Sequence, residues 1–95
     1  MNDVISRSLA LLGTVMKDRV TGFTGMVSSV SFDAYGCVQC VLTPPKKKDG
    51  TLGDGHWFDV KRLQPVGAKQ LRLMAPNFDK AFGDEGGAAE KPAMR

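Results

Sequence analysis

The spacing of apolar residues changes character twice along the chain. In residues 1–12, Val4, Ile5, Leu9 and Leu12 fall at roughly helical intervals, and Asn2 or Asp3 is placed to cap a helix start. The spacing predicts a short helical N-terminal extension. The shortness of the segment and its two serines leave a lead-in strand through Leu9 and Leu11 as the alternative. From residue 13 to 66 the pattern is β-branched and punctuated by turn residues. "FTGMVSSVSF" reads as a long strand, "DAYG" as a hairpin turn and "CVQCVLT" as the returning strand. "PPKKKDGTLGDG" must be a loop, "HWFDV" a third short strand and "QPV" a last one. Short strands packed this closely, with no long helical stretch between them, predict a mainly β fold, a small antiparallel barrel.

Two details give that barrel its corners. Val27 and Val30 are three apart, so a regular strand would send them to opposite faces. A bulge at Ser28–Ser29 would turn both inward and bend the strand. In "KDRVTGFTGMV", Gly22 follows Thr21 where a turn needs positive φ, and Gly25 stands where two strands approach closely. A phosphate-cradling loop would need a helix after the glycines, and none is predicted here. Lys17, Asp18 and Arg19 read as solvated residues near a strand end, with Asp18 also able to accept hydrogen bonds from the turn.

Residues 67–82 hold scattered apolar residues, Leu71, Leu73, Met74, Phe78 and Phe82, interrupted by Pro76. They predict short turns packed on the barrel. Residues 83–95 are rich in Gly, Ala and charge, the composition of a disordered tail.

Composition narrows the class without naming a function. Ninety-five residues make one small domain, and a net charge of +3 permits contact with nucleic acid without demanding it. No apolar run approaches the roughly 20 residues that span a bilayer, and no signal peptide is read at the start. With two cysteines three residues apart there is no disulfide framework, so a cytoplasmic protein is expected.

The candidate chemistry is sparse. Cys37 and Cys40 form a CxxC inside a strand pattern, which sends the thiols to opposite faces; both are expected reduced, one of them buried. His56 is the single histidine, so any Ser-His-Asp or Cys-His arrangement would rest on it alone; it reads as part of a solvated turn, with a metal cluster shared with nearby loop aspartates as the alternative. Neither an enzyme nor a cofactor is implied. In "HWFDVKRL", alternation puts Trp57 and Asp59 on one face and Phe58 and Val60 on the other. Phe58 is assigned to the core, and Asp59 is placed to cap a tight turn through Val60, Lys61 and Arg62. Trp57 is then either a half-exposed contact residue beside Tyr35 or a packing residue covered by the C-terminal segment. Lys46, Lys47 and Lys48, with Lys17, Arg19, Lys61 and Arg62, could form a basic patch, diluted by Asp49, Asp54 and Asp59.

"LGTVMKDRVTGFTGMV", "YGC" and "DGHWFDVKRLQPV" resemble a family of small uncharacterised proteins of tailed bacteriophages and prophages. The shared pattern is KD-x-VTGF-x-G-x-V followed by WFD-x-x-RL, covering residues 12–66. The resemblance implies a phage or prophage origin, hence a bacterial host cell or a virion, and an SH3-like β-barrel; it carries over no catalytic residue. A looser likeness is to KOW-type barrels of transcription and ribosomal proteins.

The leading expectation is therefore a binding module for a protein partner, through a surface of Tyr35, Trp57, Lys46, Lys47, Lys48 and Lys61. Nucleic-acid binding through the lysines is the alternative, and capture of a small nucleotide signal a weaker one. The oligomeric state is open.

Overall fold

The computed structural model describes residues 3–81; the capping position Asn2, Phe82 and the expected tail 83–95 lie outside the described residues. The lead-in forms a helix, α1 (Asp3–Leu9), followed by strands β1 (Val15–Asp18), β2 (Thr24–Phe32), β3 (Val38–Thr43), β4 (His56–Asp59) and β5 (Leu63–Pro65). Strands β1 to β4 form an antiparallel meander, and β5 returns to pair with the far side of β1, giving the order β4-β3-β2-β1-β5. The fold is mainly β, as the pattern predicts. β4 and β5 are the two edges and share no ladder, so the expected barrel is not closed by backbone pairing.

The bend in β2 falls where the valine spacing requires it. Val27 pairs with Leu42 and Ser29 with Val41, so Ser28 is the extra residue of a bulge. Val27 is fully buried, and Val30 packs against the same core. That core is small: Met16, Val27, Cys40 and Leu42 are buried, with Leu11, Leu12, Phe23, Val30, Phe58, Val60 and Leu63 partly buried around them.

Both motif glycines take their expected roles. Gly22 has φ of 81°, and its amide donates to the Asp18 carbonyl at 2.8 Å. A Cβ on Gly25 would lie 2.5 Å from the Thr43 carbonyl oxygen, so only glycine lets β2 approach β3 this closely. In the β2–β3 hairpin, the Asp33 carboxylate accepts the amides of Tyr35 and Cys37, both at 2.9 Å.

Helix α1 settles the ambiguity of the N-terminal segment. The buried Ser8 hydroxyl donates to the Val4 carbonyl at 2.7 Å, and Leu11 and Leu12 follow the helix into the core. Beyond β5 the chain is held mainly by its backbone. The Val15 amide donates to the Leu71 carbonyl at 2.8 Å, the Leu73 amide to the Gly13 carbonyl at 2.7 Å, and the Arg72 guanidinium to the carbonyls of Leu12 and Ala10. Residues 71–73 thus run beside 13–15. One short turn follows, Phe78–Lys80, capped by the Asn77 side chain. Leu71, Leu73, Met74 and Phe78 each stay more than half exposed, so this segment packs its side chains on the sheet far less than expected.

Candidate functional site

The two sequence motifs meet in space, and what they build is structural. Asp59 caps the 3-10 turn Val60–Arg62, its Oδ1 accepting the Lys61 amide at 2.8 Å, and the Leu63 amide closes the turn on the Val60 carbonyl. The turn delivers Arg62 to Asp18. Arg62 Nε donates to Oδ1 and Nη2 to Oδ2, each at 2.7 Å, and the Thr21 amide donates to Oδ2 at 2.8 Å alongside the Thr21 hydroxyl. Asp18 has no exposed surface, which corrects its assignment as a solvated residue. The Arg62 hydrogen bonds hold its carboxyl well below the usual carboxylate range, against the opposing effect of burial. The same pairing pushes the Arg62 pKa up.

Aromatic packing completes the join. The Arg62 guanidinium lies 5.6 Å from the centre of the Phe58 ring. Phe58 is tilted against Phe23 at 5.5 Å, and Phe23 meets His56 edge-on at 5.2 Å. Side chains of the β1–β2 hairpin therefore reach across to β4, where no backbone ladder does. Arg19, also read as solvated, is exposed but tied back: its amide donates to the Arg62 carbonyl at 2.8 Å and its guanidinium to the Lys61 carbonyl. Lys17 sits half-buried on β1, opposite Thr24 and Gln64.

With the motif interiors absorbed by folding, the candidate surface comprises Trp57, Tyr35 and the lysines. Trp57 pairs with Val41 on the outer face of β4 and is 53% exposed, so it is not buried under the C-terminal segment. Phe58, opposite Cys40, packs against the core as assigned. Tyr35 is 92% exposed at the tip of the β2–β3 hairpin, six residues along the chain from Val41. Trp57 thus lies within β4 and Tyr35 in the turn that joins β2 to β3.

Lys46, Lys47 and Lys48 are exposed on the β3–β4 loop. A tight turn orders the tip of that loop. The Lys47 amide donates to the Thr51 carbonyl at 2.8 Å, and Asp49 accepts the Thr51 hydroxyl and amide at 2.7 and 2.9 Å. Those bonds hold the Asp49 carboxyl below its ordinary range, the hydroxyl contributing most. Lys61 projects from the Val60–Arg62 turn at the opposite end of β4. The basic residues thus lie on β1, the β1–β2 turn, the β3–β4 loop and the Val60–Arg62 turn, and among the described residues Arg19 reaches the backbone carbonyls of Lys61 and Arg62.

The cysteines separate as alternation predicts: Cys37 is exposed and Cys40 is buried. Burial, with a smaller contribution from Asp59, pushes the Cys40 thiol up to about 11. Among the described residues no group of three or more His, Cys, Asp or Glu side chains converges on a point where a metal could sit. No described helix is long and apolar enough to cross a membrane.

Sequence reasoning missed the Asp18–Arg62 pair, although a lone acid within the "VMKD" strand pattern is a signal that something must neutralise it. It also missed a groove between α1 and the Val60–Arg62 turn. No family model matches the chain, and neither a curated protein nor a solved structure matches it.

Proposed function

We propose that this chain is a non-enzymatic binding module, an SH3-like fold of phage or prophage origin that engages a protein partner through Trp57 and the edge strand β4. One observation carries the reading: Trp57 is half exposed on a strand that is paired on one side only. An exposed tryptophan offers a large, rigid, amphipathic contact at low entropic cost, which is why such residues anchor protein interfaces.

The two edges of the sheet differ in a way that favours β4. β5 has three residues and ends in Pro65, which has no amide to donate, and residues 71–73 run on beside the start of β1. β4 has neither device. An extended partner segment can add to β4 through its backbone while a side chain packs beside Trp57. The SH3-like reading is supported by the strand order and by the 3-10 turn between β4 and β5. Affinity capture from host lysate with wild type, Trp57→Ala and Tyr35→Ala tests the surface. The reading expects a partner recovered by wild type and lost with Trp57→Ala; equal recovery by both removes this surface.

A second reading, nucleic-acid binding, draws on Lys17, Arg19, Lys46, Lys47, Lys48 and Lys61. The specific observation favouring it is that none of these lysines is in an ion pair among the described residues. It requires affinity that falls steeply with salt. Absence of gel retardation for single- and double-stranded DNA and RNA at low salt disposes of it.

A further inference from the structure

A cavity of about 440 Å³ opens between α1 and the Val60–Arg62 turn, larger than two other surface cavities of about 350 and 300 Å³. Its apolar walls come from Val4, Leu11, Val60 and Leu63, and Met16 joins them from the buried core. The groove is therefore continuous with the interior of the protein. The polar part of the lining is two cations, Arg7 and Lys61, and Ser8, whose hydroxyl is already given to the Val4 carbonyl; it contains no acidic side chain.

The two cations are not equivalent. Arg7 shares an exposed ion pair with Asp3 at 3.3 Å. The Lys61 ammonium has no ion pair among the described residues. Its backbone is nevertheless fixed, with the amide on Asp59 and the carbonyl accepting from Arg19. An unpaired ammonium is thus rooted in a rigid turn at the rim of an apolar groove.

A cavity of this size lies in the range of small-molecule sites, about 300–1,000 Å³, which are mostly apolar with a few placed polar groups. Filling it with an aliphatic chain removes apolar surface from water. A cation beside a low-dielectric wall attracts an anion more strongly than one in open solvent. We propose that this groove binds a small anionic amphiphile: an aliphatic carboxylate whose chain lies against Val4, Leu11, Met16, Val60 and Leu63 and whose head group meets Lys61. The site includes neither Trp57 nor β4, so it stands or falls independently of the partner surface.

Titration of the isotope-labelled protein with octanoate, octanol, octyltrimethylammonium and acetate, followed by amide chemical shifts, tests the proposal. Octanoate is expected to give saturable shifts at Leu11, Met16, Val60 and Leu63, with octanol weaker and the other two silent. Lys61→Gln should weaken octanoate about fivefold, the effect of one exposed ion pair, and leave octanol unchanged. Val4→Trp, which fills the groove from its exposed side, should abolish binding of both. Equal affinity for all three amphiphiles, no octanoate shifts at groove residues, or octanoate affinity unchanged by Lys61→Gln would each overturn it. Should Val4→Trp fail to fold, the wild-type series and Lys61→Gln decide the matter alone.

Discussion

Asp18 and Arg62, 44 residues apart, are locked by two parallel hydrogen bonds of 2.7 Å, with the carboxylate fully buried and the guanidinium still partly in solvent. The pair joins the β1–β2 hairpin to the turn between β4 and β5. A buried acid must be neutralised or hydrogen-bonded, and here Arg62 and Thr21 do both.

The pair makes stability depend on pH in a definite direction. The folded-state pKa of Asp18 is depressed, so the native protein binds fewer protons at this site than the unfolded chain. Its stabilisation is fully present above the unfolded carboxylate value of about 3.9 and is lost as pH falls below that value. Urea midpoints measured from pH 7 to pH 2.5 should fall on the acid side, and Asp18→Asn should flatten that fall. An unchanged slope in the variant would mean that other acids set it. Arg62→Leu at pH 7 strands the carboxylate and should lower the melting temperature by on the order of 10 °C.

Much of the fold could be read locally, and the parts that could not share one cause. The Ser28 bulge was legible because Val27 and Val30 cannot otherwise share a core. The Asp59 cap was legible because its acceptor and the amide it holds are two residues apart. The burial of Asp18 was hidden because its partner is supplied by a different strand connection, and no local pattern records that meeting. Alternation placed Trp57 on the face of β4 opposite Phe58, yet it carries no information about distance along the sheet, so it could not relate Trp57 to Tyr35 in the β2–β3 turn. Residues 1–12 were ambiguous because one short amphipathic stripe suits either a helix or an edge strand, and packing of Leu11 and Leu12 against the core decides between them.

The two thiols should react in two separate steps. Cys37 is exposed, whereas burial keeps Cys40 protonated with a pKa pushed up to about 11. A thiol-reactive disulfide reagent at pH 8 should modify one cysteine quickly in the native protein and the second only after denaturant is added. Equal rapid modification of both would show that the strand around Cys40 opens readily.

Gly22 and Gly25 should respond to alanine for different reasons. At Gly22 there is open space for a Cβ but φ is 81°, so Gly22→Ala should cost about 1–2 kcal/mol of backbone strain. At Gly25 the Cβ would collide with the Thr43 backbone, and β2 must move away from β3. Gly25→Ala should therefore be the more damaging change and should broaden or shift the amide signals of Thr43 and Met26. Equal costs for the two, by chemical denaturation, would mean that the β2–β3 spacing relaxes without penalty.

Trp57 and Phe58 are adjacent in sequence and point to opposite sides of β4, which allows the partner surface to be separated from the fold. Phe58 packs against the core, Phe23 and the Arg62 guanidinium, so Phe58→Ala should destabilise by about 2–4 kcal/mol. Trp57 is half exposed opposite Val41, so Trp57→Ala should cost less than about 1 kcal/mol while removing partner recovery. Denaturation curves for both variants, read beside affinity capture, give the comparison. A Trp57→Ala variant as unstable as Phe58→Ala would make the tryptophan a cover for the sheet, and its effect on binding could then be no more than unfolding. A stable Trp57→Ala variant that loses its partner places recognition on the outer face of β4, because nothing in the core has changed.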